Sequence, residues 1–137
     1  MAENYVYYTS GRSPALSGNT LFHAVNNVWA ENSGHAIEGT ANSRGVYEGN
    51  WFDHVPTVVA NGFVGQLFSS ESADLSQCEM YLGRECVTNA YTNSGSFDYD
   101  DDGFLVDFHN LPIVLAASAA SIESSVPANA GNTLSNT

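Results

Sequence analysis

Short apolar runs with an every-second-residue rhythm, separated by stretches of Gly, Asn, Ser and Thr, run through most of this chain and predict an architecture of short strands. Residues 4–9 form a tyrosine-rich strand with Tyr5 and Tyr7 on one side and Val6 and Tyr8 on the other. A polar loop containing Pro14 spans 11–18, after which Asn19 or Thr20 can cap a short helix. Leu21, Val25, Val28 and Trp29 have the i, i+4, i+7, i+8 spacing of one buried helical stripe. Period-two alternation fails at Asn26-Asn27, so a helix is preferred to a strand through Phe22 to Trp29. Loops joining short strands, such as 45–48, fill the segment 32–50.

Two hairpins are predicted. Asn61-Gly62 separates Thr57-Val58-Val59-Ala60 from Phe63-Val64-Gly65-Gln66-Leu67-Phe68, and Asn-Gly suits the two positive φ angles of a type I′ turn. Both faces of that hairpin are apolar, which places it inside a sandwich or barrel or against a partner. The second hairpin covers 97–108 around Asp102-Gly103, with Phe97, Tyr99, Phe104, Val106 and Phe108 on one face. Its other face sets Asp98 opposite Asp107 with Asp100 beside them, a repulsive arrangement unless a positive charge sits between. Ser72 or Asp74 can cap a helix carrying Leu75, Cys78 and Leu82, and 88–96 is a polar connection. Ile113-Val114-Leu115 reads as a last strand, and 116–125 can be helical up to Pro127. No internal repeat of useful length is visible. The expected fold is mainly β, an antiparallel sandwich or small barrel with one or two short helices. Residues 1–127 form one domain, and 128–137 a flexible C-terminal tail.

Charge narrows the function. Fifteen acidic residues face three arginines (Arg12, Arg44 and Arg84) and no lysine, for a net charge of -12. A nucleic acid or an anionic membrane surface is excluded as partner, because both need clustered cations. Without lysine there is no Schiff base, no phosphate-loop lysine and no lysine general base. No apolar run is long enough for a membrane span, and Met1-Ala2-Glu3-Asn4 has neither the basic start nor the apolar core of a secretion signal.

Candidate chemistry is sparse. Asp98, Asp100, Asp102 and Gly103 match the first half of a calcium loop, D-x-D-x-D-G. Position twelve is His109 instead of Glu, and the nearest acid is Asp107, so these aspartates form at most a weak Ca2+ site; the rival reading is a solvated acidic hairpin tip. Cys78 and Cys86 are a disulfide candidate, provided that 76–86 is not one continuous helix, which would hold the α-carbons about 12 Å apart. Otherwise they are reduced, buried cysteines. His23, His35, His54 and His109 are scattered; Asp53-His54 and His35-Ala36-Ile37-Glu38 each offer a neighbouring acid, although Asp53 and His54 would point to opposite faces of a strand. Aromatics with Asn and Asp make a sugar-binding face conceivable, against which Trp29, Trp51, Phe52, Phe63 and Phe68 read as core.

With no catalytic motif in view, the sequence reads as a non-enzymatic structural or assembly protein of a virus particle or other extracellular assembly, requiring no cofactor. Its partners are copies of itself or a shell protein. The alternatives are a calcium-dependent binding module for a glycan or protein, and a small hydrolase.

Overall fold

A computed structural model describes residues 1–69 and 76–130. Ten strands lie among them: β1 (Tyr5–Tyr7), β2 (Ala15–Leu16), β3 (Leu21–Val25), β4 (Val28–Ala30), β5 (His35–Gly39), β6 (Arg44–Glu48), β7 (Trp51–Asp53), β8 (Thr57–Val59), β9 (Gln66–Phe68) and β10 (Ala90–Thr92). They form three sheets, ordered β1-β4-β7-β10, β2-β5-β8 and β3-β6-β9. Every pairing between these strands is parallel. Each circuit visits the three sheets in turn, and the next circuit stacks on it in register, which makes the molecule a parallel β-helix. The antiparallel sandwich or barrel expected from the sequence is therefore corrected, and the physical reason is that a coil buries alternate residues as a sandwich does while its strand partners lie one whole circuit away.

Both predicted hairpins dissolve. Residues 57–59 pair with β5 and 66–68 with β6, so the Asn61-Gly62 segment turns a corner between two sheets. Neither Asn61 nor Gly62 takes the positive φ that a type I′ turn requires; Gly65 does, at 131°. In the acidic segment, Leu105–Phe108 is a 3-10 helix, and Phe68 bridges Asp100 singly. Leu105 and Phe108 share its buried side while Val106 is exposed, because i and i+3 coincide in a 3-10 turn where a strand would align i and i+2. The helix expected at 21–29 is instead β3 and β4, and the asparagines that spoiled the alternation form the corner between them. Residues 113–115 form no strand, β10 lies inside the supposed polar connection, and α2 (Ala119–Asn129) runs past Pro127. Ser72, Asp74 and Leu75, named for the earlier helix, and most of the expected tail (131–137) lie outside the described residues.

A repeat exists that side-chain chemistry conceals. Asn4, Asn27 and Asn50 succeed one another at 23 residues, and Asn89 follows after 39. Asn50 Oδ1 accepts from the backbone and side-chain nitrogens of Asn27, and Asn89 Oδ1 does the same for Asn50. Asn27 and Asn50 are wholly buried, so this ladder satisfies backbone groups that the sharp corner takes out of the sheets. Just before it, Glu3, Asn26 and Gly49 all take positive φ. A Cβ at Gly49 would lie 2.6 Å from Asn26 Nδ2 and 2.9 Å from the Ala117 carbonyl, so only glycine fits there. Inside the coil Trp29, Phe52 and Tyr91 stack, centroids 4.9 and 5.6 Å apart, and Phe97 sets its edge on Phe52.

The longer circuit carries α1 (Ser76–Leu82). Gly83, at φ 86°, ends it and brings Cys86 back to Cys78, whose Cα lies 5.5 Å away in a disulfide. Outside the sheets, Asn26 clasps Ala117 through both its amide nitrogen and oxygen, and α2 beyond it packs Ile122 and Val126 on Val28 and Ala30.

Candidate functional site

Arg12 sits in the turn before β2, at φ 55°, and several bonds fix that turn to the next circuit. The buried Trp29 indole donates to the Ser13 carbonyl at 2.5 Å, and Ser13 N–H donates to Ala36 at 2.7 Å. His35 and Glu38 belong to β5, one circuit on. Ala36 and Ile37 between them are both buried, which breaks strict alternation and lets the two polar side chains emerge together. Glu38 Oε2 accepts from His35 Nε2 at 2.8 Å and from Arg12 Nε at 3.2 Å. The hydrogen bond from His35, helped by Arg12, holds the Glu38 carboxyl below its ordinary range. Since Glu38 takes only Nε, the two Nη groups of an arginine that is 76% exposed are left facing solvent. A groove of about 650 Å3 runs beside the cluster, lined by His35, Glu38, Thr40, Ala60 and Val64 among others.

The other two arginines are committed. Arg44 donates to Asp107 and Asn19. Arg84 donates to both oxygens of Glu48, at 2.8 and 3.1 Å, and to the Val114 carbonyl. Glu48 is wholly buried and also accepts from His23 Nε2 at 2.5 Å and the Val87 N–H. Burial pushes the Glu48 carboxyl up, and the hydrogen bonds and charges of His23 and Arg84 outweigh it and hold the group ionised, below the usual carboxylate range. This second His–Glu–Arg trio is closed to any ligand.

The residues singled out in the sequence fall elsewhere. Asp107 is engaged with Arg44; Asp98, Asp100 and Asp102 do not join it in a cage, and no three His, Cys, Asp or Glu side chains among the described residues are placed to share a metal ion. His54 Nδ1 reaches Asp53 Oδ1 at 2.6 Å, contrary to the strand argument, because His54 has left the strand at φ 55° and its side chain swings back toward its neighbour. Arg12 was overlooked as a functional group; what could have found it is that it is one of only three cations and sits among Gly, Ser and Pro, away from any apolar run.

No protein-family model matches the chain. Among curated proteins it is similar to probable pectin lyase E of Aspergillus niger, 78% identical over 135 residues, which are 98% of this chain and 36% of that protein. It is 49% identical over 137 residues to probable pectin lyase C of Emericella nidulans, covering 96% of the chain and 37% of the relative. Pectin lyase A of Emericella nidulans is 47% identical over 135 residues, with 98% and 36% covered. The chain thus spans a little over a third of the length of the relatives it matches. These relatives are named as enzymes, so the reading of a non-enzymatic assembly subunit of a virus particle is overturned. The virion setting falls with it. No helix among the described residues is long and apolar enough to cross a membrane.

Proposed function

We propose that the protein acts outside the cell as a lyase on pectin-like polyuronate, and that the Arg12–Glu38–His35 face of the sheet β2-β5-β8 contributes to its substrate site. The observation that carries this reading is the Arg12 guanidinium, fixed through Nε by Glu38 with both Nη groups open beside a groove. Relatives named pectin lyases supply the reaction class. A lyase cleaves by elimination: a base takes the proton from the carbon next to the carboxyl group, the C–O bond on the neighbouring carbon breaks with its electron pair going to the leaving oxygen, which takes up a proton from solvent, and a C=C bond forms between the two carbons. Negative charge develops on the carboxyl or ester oxygen as the proton leaves. A permanently charged guanidinium, fixed beforehand, stabilises that charge more in the transition state than in the bound substrate. Glu38 acts through Arg12 as a positioning residue. A weak Ca2+ site on the acidic segment has no part in this reading.

The test follows the new double bond by its ultraviolet absorbance on methyl-esterified galacturonan. Arg12→Ala is expected to lower the rate by about 100-fold or more, the scale for removing one charge-stabilising donor, with the melting temperature unchanged. An unaltered rate in that variant would refute the assignment.

A further inference from the structure

At the opposite end of the corner that carries Arg12, four side chains stand in a column. Tyr8, Glu31, His54 and Asn93 each follow the last residue of β1, β4, β7 and β10, and each takes positive φ (61°, 53°, 55° and 47°). Their backbones continue the parallel ladder: Tyr8 N–H donates to Ala30, Glu31 N–H to Asp53 and His54 N–H to Thr92, at 2.8–3.0 Å. The side chains are therefore spaced by the strand separation, about 4.8 Å per rung along the coil. His54 is held from both sides, Nδ1 by Asp53 at 2.6 Å and Nε2 by Asn93 at 3.2 Å, with Glu31 at 3.7 Å.

Beside the column lies a cavity of about 510 Å3 lined by Tyr8, Ser10, Glu31, Asn32, His54 and Pro56, among others. Tyr8, 77% exposed, continues a row of rings, with Tyr7 at 5.7 Å and Tyr5 a further 5.5 Å on. Asn32 is almost wholly buried. Its amide nitrogen donates to Val6 and Ala30, whereas its Oδ1 has no donor among the described residues. A buried acceptor left without a donor in a cavity-lining residue is costly unless something that enters the cavity supplies one.

The geometry points to a second saccharide-binding site here, taking a neutral, hydroxyl-rich sugar chain. An exposed aromatic row offers flat apolar surface to the C–H faces of pyranose rings. Imidazole, carboxylate and amide groups at successive rungs offer fixed partners to hydroxyls, and a hydroxyl or a water it orders completes Asn32. Charge selects within the class: Glu31 lines the cavity, Asp53 holds the adjoining His54, and none of the described lining residues is an arginine, so an ionised uronate is repelled where its methyl ester is not. The site rests on the lyase reading only in the choice of probe.

Binding of methyl-esterified oligogalacturonate is to be measured by calorimetry in an Arg12→Ala background, with NMR of the His54 ring as a local reporter. Binding is expected to persist there and shift the His54 resonances. Adding Tyr8→Ala should weaken it at least tenfold, and Tyr8→Phe should restore it. De-esterified oligomers should bind at least tenfold more weakly, and Glu31→Gln should narrow that gap. Binding that vanishes with Arg12→Ala, ignores Tyr8→Ala or fails to prefer the ester overturns this site and leaves the lyase reading intact. Binding that behaves as expected while Arg12→Ala turns over substrate at the normal rate removes the lyase assignment of Arg12 and leaves this site standing. Tyr8 makes no core contact, so a preserved melting temperature in Tyr8→Ala keeps the comparison fair.

Discussion

The two His–Glu–Arg trios of this molecule contain the same groups and do opposite work. In His23–Glu48–Arg84 the carboxylate has no exposed surface, both its oxygens are bonded by the arginine, and the histidine lies against the edge of Phe108. In His35–Glu38–Arg12 the carboxylate is one-third exposed and grips one guanidinium nitrogen, leaving a fork for something else. Burial makes the difference: a desolvated ion must be fully partnered or the fold fails, whereas a hydrated one can leave its partner's donors free. The closed trio therefore ties the long circuit to the coil, and the open one can serve a ligand.

Substitution at the two carboxylates should separate these roles most sharply. Glu48→Ala leaves Arg84 and His23 without their counter-charge and is expected to lower unfolding free energy by about 3–5 kcal/mol in urea melts. Glu38→Ala in the same assay should leave the urea midpoint where it is. Equal losses at the two would erase the distinction.

The disulfide provides the next largest effect. Cys78 and Cys86 close a loop of separation 8 that contains Arg84, so the double change to serine should remove roughly 2–3 kcal/mol by freeing the unfolded chain. It should also loosen Arg84 on Glu48, so Cys78→Ser/Cys86→Ser combined with Glu48→Ala is expected to fall short of the sum of the two losses.

Acid offers a gentler probe. The Glu48 carboxyl is held below its unfolded value, so its contribution is fully present above about pH 4.3 and fades as pH falls through the folded value. Urea midpoints should drop across that acid window in the wild type, and more shallowly in Glu48→Gln. Glu38 is shifted in the same direction, but its exposure lets salt screen it; 0.5 M salt should leave the Glu48-dependent slope largely in place. Smallest in stability and most telling for the proposed lyase reading, Glu38→Gln should reduce turnover with no change in melting temperature, because a neutral amide oxygen holds Arg12 Nε more weakly than a carboxylate does.

Much of the local structure was legible in residue patterns. The strand at Tyr5–Tyr7 follows from its tyrosine-rich alternation and the one near 45–48 from its place between polar loops, and Asn26-Asn27 was seen as an interruption. What it interrupted was misjudged: residues 21–29 can be drawn on a helical wheel, and only the buried asparagine ladder explains why a corner is favoured there. Asn61-Gly62 signalled a turn correctly and its partner strands wrongly. The open trio was half visible, since His35 and Glu38 are neighbours in sequence; Arg12 joins them only because it lies one circuit earlier.

By itself, the sequence determined that the chain would be β-rich, acidic and short of cations, and it marked some of the bends, such as Asn61-Gly62, because alternation and turn chemistry act over a few residues. Which strands meet, which of two like-composed clusters is sealed from water, and which arginine keeps its donors free were decided only by the coil, where residues 23 apart become neighbours on successive rungs. No local preference encodes that separation. It arises from stacking whole circuits so that each covers the apolar edge and the backbone groups of the last.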